Sequence, residues 1–130
     1  MKKSFLRRED GQSLVEFALV LPVLLFLMCG IIDFGWLFYN QIALNNAARE
    51  GARCAVVSYG ESNWKREAED RMRDDLAGIN GAVVSVSDPH GQQITASVTA
   101  SPRILTGFTS TLLGRNTMNL RASCTMRVEG

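Results

Sequence analysis

Apolar residues divide this chain into two parts. Sixteen consecutive residues, 17–32, carry no charge and are mostly Leu, Val, Ile and Phe. The next part keeps a helical period but becomes amphipathic, because small apolar residues recur three and four positions apart. The pattern predicts one long N-terminal helix over residues 12–57, membrane-spanning over about residues 14–38. The residues of its second apolar face are Ile42, Ala43, Ala47, Ala48, Ala52 and Ala55.

The pattern changes after residue 57. Turn residues follow at 58–60, and residues 62–77 then repeat an apolar side chain every fourth position, which predicts a short helix. Beyond residue 83, apolar and polar residues alternate in three runs, as in half-buried strands. The predicted fold class is α+β, with a long N-terminal transmembrane helix and a short helix packed on a small antiparallel sheet of about three strands. Residues 58–130 would form the globular domain.

The distribution of charged residues predicts the orientation of the membrane-spanning helix. The four basic residues at positions 2, 3, 7 and 8 precede the apolar run, and the next cation is Arg49. The positive-inside rule therefore places the N-terminus in the cytoplasm and the C-terminal part outside. The whole chain has 14 basic and 13 acidic residues. This balance argues against a general polyanion partner, and no nucleic acid is expected to bind.

Few residues of the chain are candidates for catalysis or metal binding. His90 is the only histidine and falls in a predicted turn, and the three cysteines are scattered. These residues lack metal-ligand spacing, so we expect no metal, no cofactor and no enzymatic activity. Cys54 and Cys124 both fall in the exported part, where a disulfide can persist, but spacing leaves bridged and free states open. Asp33 is expected at the far membrane interface, beside an aromatic belt of Trp36, Phe38 and Tyr39.

The junction before the apolar run is the most informative segment. A basic leader ends at Gly11, and Glu16 lies at the edge of the run. This glycine, followed by Gln-Ser-Leu-Val-Glu, resembles the cleavage site of type IV prepilins. The continuation to about residue 56 resembles the N-terminal signature of TadE-like proteins, minor pseudopilins of the tight-adherence (Tad/Flp, type IVc) pilus.

The resemblance implies a pilin-like fold and a role for each residue of the junction. Residues 1–11 would be a leader, cut after Gly11 by a prepilin peptidase, so that Gln12 becomes the new N-terminus. Glu16 would then pair with the N-terminal amine of a neighbouring subunit during assembly. The implied partners are the prepilin peptidase, the major Flp pilin, other minor pseudopilins, the inner-membrane assembly platform and membrane lipid. The chain would move from the cytoplasmic membrane into an extracellular pilus that supports adhesion and biofilm formation.

Pro22 interrupts the backbone hydrogen bonds of the predicted membrane helix. It removes one donor and clashes with the carbonyl of Ala18, which predicts a kink or local melting. Looseness there would let neighbouring helices fit together in a filament. An ordinary tolerated membrane proline is the alternative.

Two other functions stay open from the sequence. The first is an uncleaved bitopic scaffold of a secretion or pilus machine, and the second is a small membrane-anchored enzyme. Within the implied family, the smaller TadF-like sibling is not separated from TadE by sequence.

Overall fold

The computed structural model describes residues 8–107, 110–111 and 114–128. Two helices, α1 (Arg8–Val57) and α2 (Trp64–Asp75), precede three strands, β1 (Val83–Val86), β2 (Gln93–Ala100) and β3 (Leu120–Arg127). The strands form one antiparallel sheet in the order β1-β2-β3. The predicted α+β class, with a long apolar helix, a short helix and a three-stranded antiparallel sheet, is confirmed.

The two halves of α1 have different surroundings. Large apolar side chains on residues 14–32 are exposed, whereas small side chains after residue 43 are buried against the sheet and α2. The sheet contributes its inward-pointing residues, since side chains alternate between the two faces of a strand. The core consists of Leu44, Ala47, Ala48, Ala52, Ala55, Ala68, Met72, Leu76, Val84, Val86, Ile94, Ala96, Val98, Ala100 and Ala122.

Helix α2 crosses α1 at a glycine. A Cβ atom built on Gly51 would lie 2.4 Å from both Cγ and Sδ of Met72, and the Met72 side chain is fully buried. The missing side chain thus makes room for a methionine of α2. From sequence alone a glycine within a helix only weakens it, so the close approach is a feature of the tertiary structure.

Helix α1 is unbroken at Pro22. Local melting, one of the two expected effects of this proline, is therefore not present, because the flanking residues keep helical geometry on both sides. The fixed φ of proline is compatible with a helix, and membrane helices tolerate proline where neighbouring groups satisfy the freed carbonyl. The proposed fit between neighbouring helices remains a prediction.

The close crossing predicts that Gly51→Ala destabilises the protein. Added volume in a filled core costs about 1–3 kcal/mol, and alanine gains up to ~1 kcal/mol over glycine in a helix, so the net destabilisation is about 0–2 kcal/mol. We expect a lower midpoint of thermal unfolding, followed by tryptophan fluorescence of the full chain in detergent. Gly35→Ala is the matched control, since nothing lies within 4 Å of a Cβ at that helical position. Equal midpoints for the two variants would contradict the packing argument.

Candidate functional site

The predicted processing junction lies in the first turns of α1. The helix begins at Arg8, so the Gly11–Gln12 peptide bond is within its first turn and a half. The first four amide groups of a helix have no intrahelical acceptor, and glycine weakens the helix further. This end opens more easily than the rest of α1. Gly11 is exposed, and a Cβ built on it would meet nothing within 4 Å.

Gln12 and Glu16 lie one turn apart on the same exposed strip of α1. The Gln12 side chain donates a hydrogen bond from Nε2 to Oε1 of Glu16, at 3.5 Å. Residues four apart face each other on a helix, so this contact follows from their spacing. The structure therefore brings together two of the residues predicted from the sequence, with Gly11 one position before them.

Glu16 stands among exposed apolar side chains. Leu14 is 69% exposed and Phe17 is 62% exposed. A carboxylate beside such residues is costly to bury in lipid or in a helix bundle unless a cation accompanies it. Cleavage at Gly11 would create a cation, the new amine of Gln12, close to the same depth along the helix.

The apolar part of α1 has the length of a membrane span. One helix of the described residues, Gly11–Val57, is long and apolar enough to cross a bilayer, and this fits a single-pass membrane protein. Residues 12–32 extend about 31 Å at the α-helical rise, close to the ~30 Å of a hydrocarbon core.

Asp33 ends this exposed part, and the structure gives it a contact that the sequence did not predict. The residue is only 4% exposed, and its position at the far membrane interface remains a prediction. The backbone amide of Thr106 donates to Oδ1 of Asp33 at 2.9 Å, and the Thr106 hydroxyl donates to Oδ2. A loop of the C-terminal domain therefore covers Asp33, because a buried carboxylate needs donors.

The aromatic residues after Asp33 divide between solvent and protein. Phe38 and Tyr39 are exposed, as an interfacial belt requires, whereas Trp36 is half-buried and stacks on Tyr39 with 5.9 Å between ring centroids. One turn further, Asn40 is buried and donates to the Trp36 carbonyl at 2.7 Å. Asn40 was not identified from the sequence; an amide in an otherwise apolar helical stretch was the available signal.

The two candidate disulfide residues are free thiols in the structure. Cys54 lies near the end of α1 and Cys124 in β3, and both are half-buried beside the core. Their bridge remains a prediction, which mass spectrometry after alkylation, with and without reductant, would test. His90 is exposed in the turn before β2. The described residues contain no group of three or more His, Cys, Asp or Glu side chains placed to hold a metal ion.

The N-terminal part of the chain matches a known protein family. Residues 11–53 match the family of TadE-like proteins. Over this segment the chain is similar to TadE-like proteins. The resemblance seen in the sequence is thereby confirmed, and the match associates the chain with the tight-adherence pilus and its components in general. No curated protein and no solved structure matches the chain.

The matched segment coincides with most of helix α1. It begins at Gly11, includes all of the exposed apolar helix and ends at Arg53, near the end of α1. The TadE-like segment is therefore a helix with two surfaces, an exposed one for lipid or other helices and a small-residue one for the domain. Helix α2 and the sheet lie outside the match.

The loop over Asp33 gives a second prediction. Asp33→Ala removes the acceptor of the Thr106 amide, and an unsatisfied buried donor costs about 1–3 kcal/mol. We expect faster hydrogen exchange at the Thr106 amide and a lower unfolding midpoint in detergent. Asp75→Ala is the control, since Asp75 is exposed at the end of α2. Unchanged exchange at Thr106 would show that Asp33 does not hold the loop.

Proposed function

We propose that this chain is a minor pilin of the tight-adherence type IV pilus, cleaved after Gly11 by a prepilin peptidase. It would act as the substrate of an enzyme and not as an enzyme. The observation that supports this most is the TadE-like match over residues 11–53, which begins at the proposed cleavage glycine. The mature protein would help to assemble a pilus for surface adhesion and biofilm formation.

The exposed helix supports the assembly step. Residues 14–32 present large apolar side chains around the helix, and no part of the described domain covers them. Such a surface is stable in a bilayer before assembly and among other pilin helices afterwards, since both environments are apolar. We propose that the major Flp pilin, other minor pseudopilins and the assembly platform are the neighbours of this surface.

Glu16 would guide the entry of the subunit. Before cleavage, its carboxylate accepts from the Gln12 side chain of its own helix. After cleavage, a neighbour's N-terminal amine would be a stronger, charged partner. Pairing the two charges lowers the cost of burying each of them, so the pair favours one axial position of the incoming helix over others.

The orientation follows from charge. The basic residues before the apolar run would stay in the cytoplasm, and the C-terminal domain would be outside, first on the membrane and later on the pilus. The peptidase would then meet the Gly11–Gln12 bond at the cytoplasmic face.

Processing is tested by intact mass and N-terminal sequencing of the membrane-extracted protein, from cells with and without the prepilin peptidase. We expect a chain that begins at Gln12 only when the peptidase is present. Gly11→Leu should block this step, because the leucine side chain would occupy the open space through which the peptidase approaches the bond. Gly30→Leu, on the same helix but away from the bond, should be cut normally. A functional chain that begins at Met1 in both strains would favour the uncleaved bitopic scaffold.

Assembly is tested separately with Glu16→Gln. We expect normal cleavage but at least about tenfold less protein in sheared pili, the equivalent of one lost charge pair worth ~1.4 kcal/mol. Glu50→Gln is the control, because Glu50 lies on the same helix but within the domain, 3.8 Å from Arg53. Wild-type amounts of the Glu16→Gln protein in pili would exclude the carboxylate from assembly.

A further inference from the structure

The outer face of the sheet carries a continuous polar surface. On β2 and β3 the side chains that point away from the helices form opposed pairs, and the pairing continues beyond one end of the sheet, after β2 and before β3. We call this surface the hydroxyl ladder. The strand register gives four pairs, and a side-chain hydrogen bond and an isolated bridge give two more: Gln93/Arg127, Thr95/Thr125, Ser97/Ser123, Thr99/Arg121, Ser101/Asn119 and Arg103/Thr117.

Hydrogen bonds across the strands hold the ladder in place. The hydroxyls of Thr95 and Thr125 are 2.8 Å apart, and the Ser101 hydroxyl donates to Asn119 at 2.8 Å. Strand β1 extends the face, since the Ser85 and Ser97 hydroxyls are also 2.8 Å apart. A hydroxyl has one proton and two acceptor positions, so paired hydroxyls keep hydrogen-bonding capacity toward solvent.

The charge of this part of the chain is strongly one-sided. Residues 89–130 contain four arginines and a single acidic residue, Glu129, whereas residues 49–88 contain six basic and eight acidic residues. Three of the four arginines, Arg103, Arg121 and Arg127, belong to the ladder, and all three are exposed. The nearly neutral net charge of the whole chain conceals this division.

The arginines are spread along the ladder. Arg121 and Arg127 are six residues apart on β3, or about 20 Å at the strand rise. The pair that contains Arg103 lies four residues beyond the pair that contains Arg121, which adds about 13 Å. The whole strip is therefore about 33 Å long, with cations near its two ends and one between them.

The composition of the ladder selects among anionic partners. Its arginines suit carboxylates, which the planar guanidinium binds through two parallel hydrogen bonds. Its hydroxyl and amide groups suit a ligand rich in hydroxyls. None of its twelve residues is aromatic, and single-stranded nucleic acids bind largely by stacking on aromatic rings. None is a large apolar residue, so insertion into lipid is disfavoured as well.

We propose that the hydroxyl ladder binds an extended acidic polysaccharide, with Arg103, Arg121 and Arg127 contacting sugar carboxylates. The hydroxyl and amide groups between them hydrogen-bond the sugar hydroxyls. Both helices pack on the opposite face of the sheet, so neither of them covers this face. The inference rests on the proposed function in one respect, the export of the domain, because only an exported domain meets cell-surface polysaccharides.

The proposal is tested by binding of the purified full-length protein, in detergent, to alginate as the acidic polysaccharide and to dextran as a neutral one. We expect binding to alginate that weakens as salt increases and no binding to dextran. Replacing Arg103, Arg121 and Arg127 together by Gln should weaken alginate binding at least about tenfold. Replacing Arg49, Arg66 and Arg71 by Gln is the control, since it changes net charge equally but lies on the two helices.

A second variant tests the position of the site and keeps all arginines. Ser123→Glu places a carboxylate in the middle of the ladder, where it repels an acidic chain, so it should also weaken binding strongly. Thermal unfolding of each variant shows whether the fold is retained. The proposal is overturned by no alginate binding of the wild type, by equal losses in both triple variants, or by tighter binding to single-stranded DNA than to alginate. These results are independent of cleavage at Gly11, so the two proposals fail separately.

Discussion

The close contact between the second half of α1 and the sheet determines the arrangement of everything else in the domain. It depends on small side chains: four alanines and Gly51 on α1 let the backbone approach the sheet and α2 closely. Met72 occupies the space that Gly51 leaves, and the alanines of β2 and β3 complete the interface from the other side. A larger side chain at any of these positions would separate the layers, because filled cores tolerate added volume poorly.

The same helix has to be stable in a second environment. Between residues 14 and 32, before Asp33, its side chains are large, apolar and exposed, as lipid or neighbouring helices require. The change occurs at Asp33, where the Thr106 loop supplies donors to a buried carboxylate. This contact attaches a loop of the domain to α1 directly beside the end of the exposed segment. It thereby fixes where along α1 the domain begins.

The domain presents two surfaces of different chemistry. On the helical side, acidic and basic residues of α2 form ion pairs with each other, such as Arg73 with Glu69 and Asp70. On the sheet side, hydroxyls pair with hydroxyls, and residues 89–130 carry four arginines against a single acidic residue, Glu129. Exposed ion pairs contribute little to stability, so the helical side is well solvated without a partner. The sheet side is the surface with unbalanced charge.

The sequence by itself determined the elements, their order and the TadE-like segment, because hydrophobic period and local motifs are properties of neighbouring residues. The alternation in three runs was sufficient to predict three strands, and the spacing of Gln12 and Glu16 fixed their contact on one helical strip. Only the tertiary structure decided which long-range neighbours meet. It placed Thr106 on Asp33, Met72 against Gly51, and Arg103 on the same sheet face as Arg121 and Arg127, since strand register and loop paths bring together residues that are far apart in the chain.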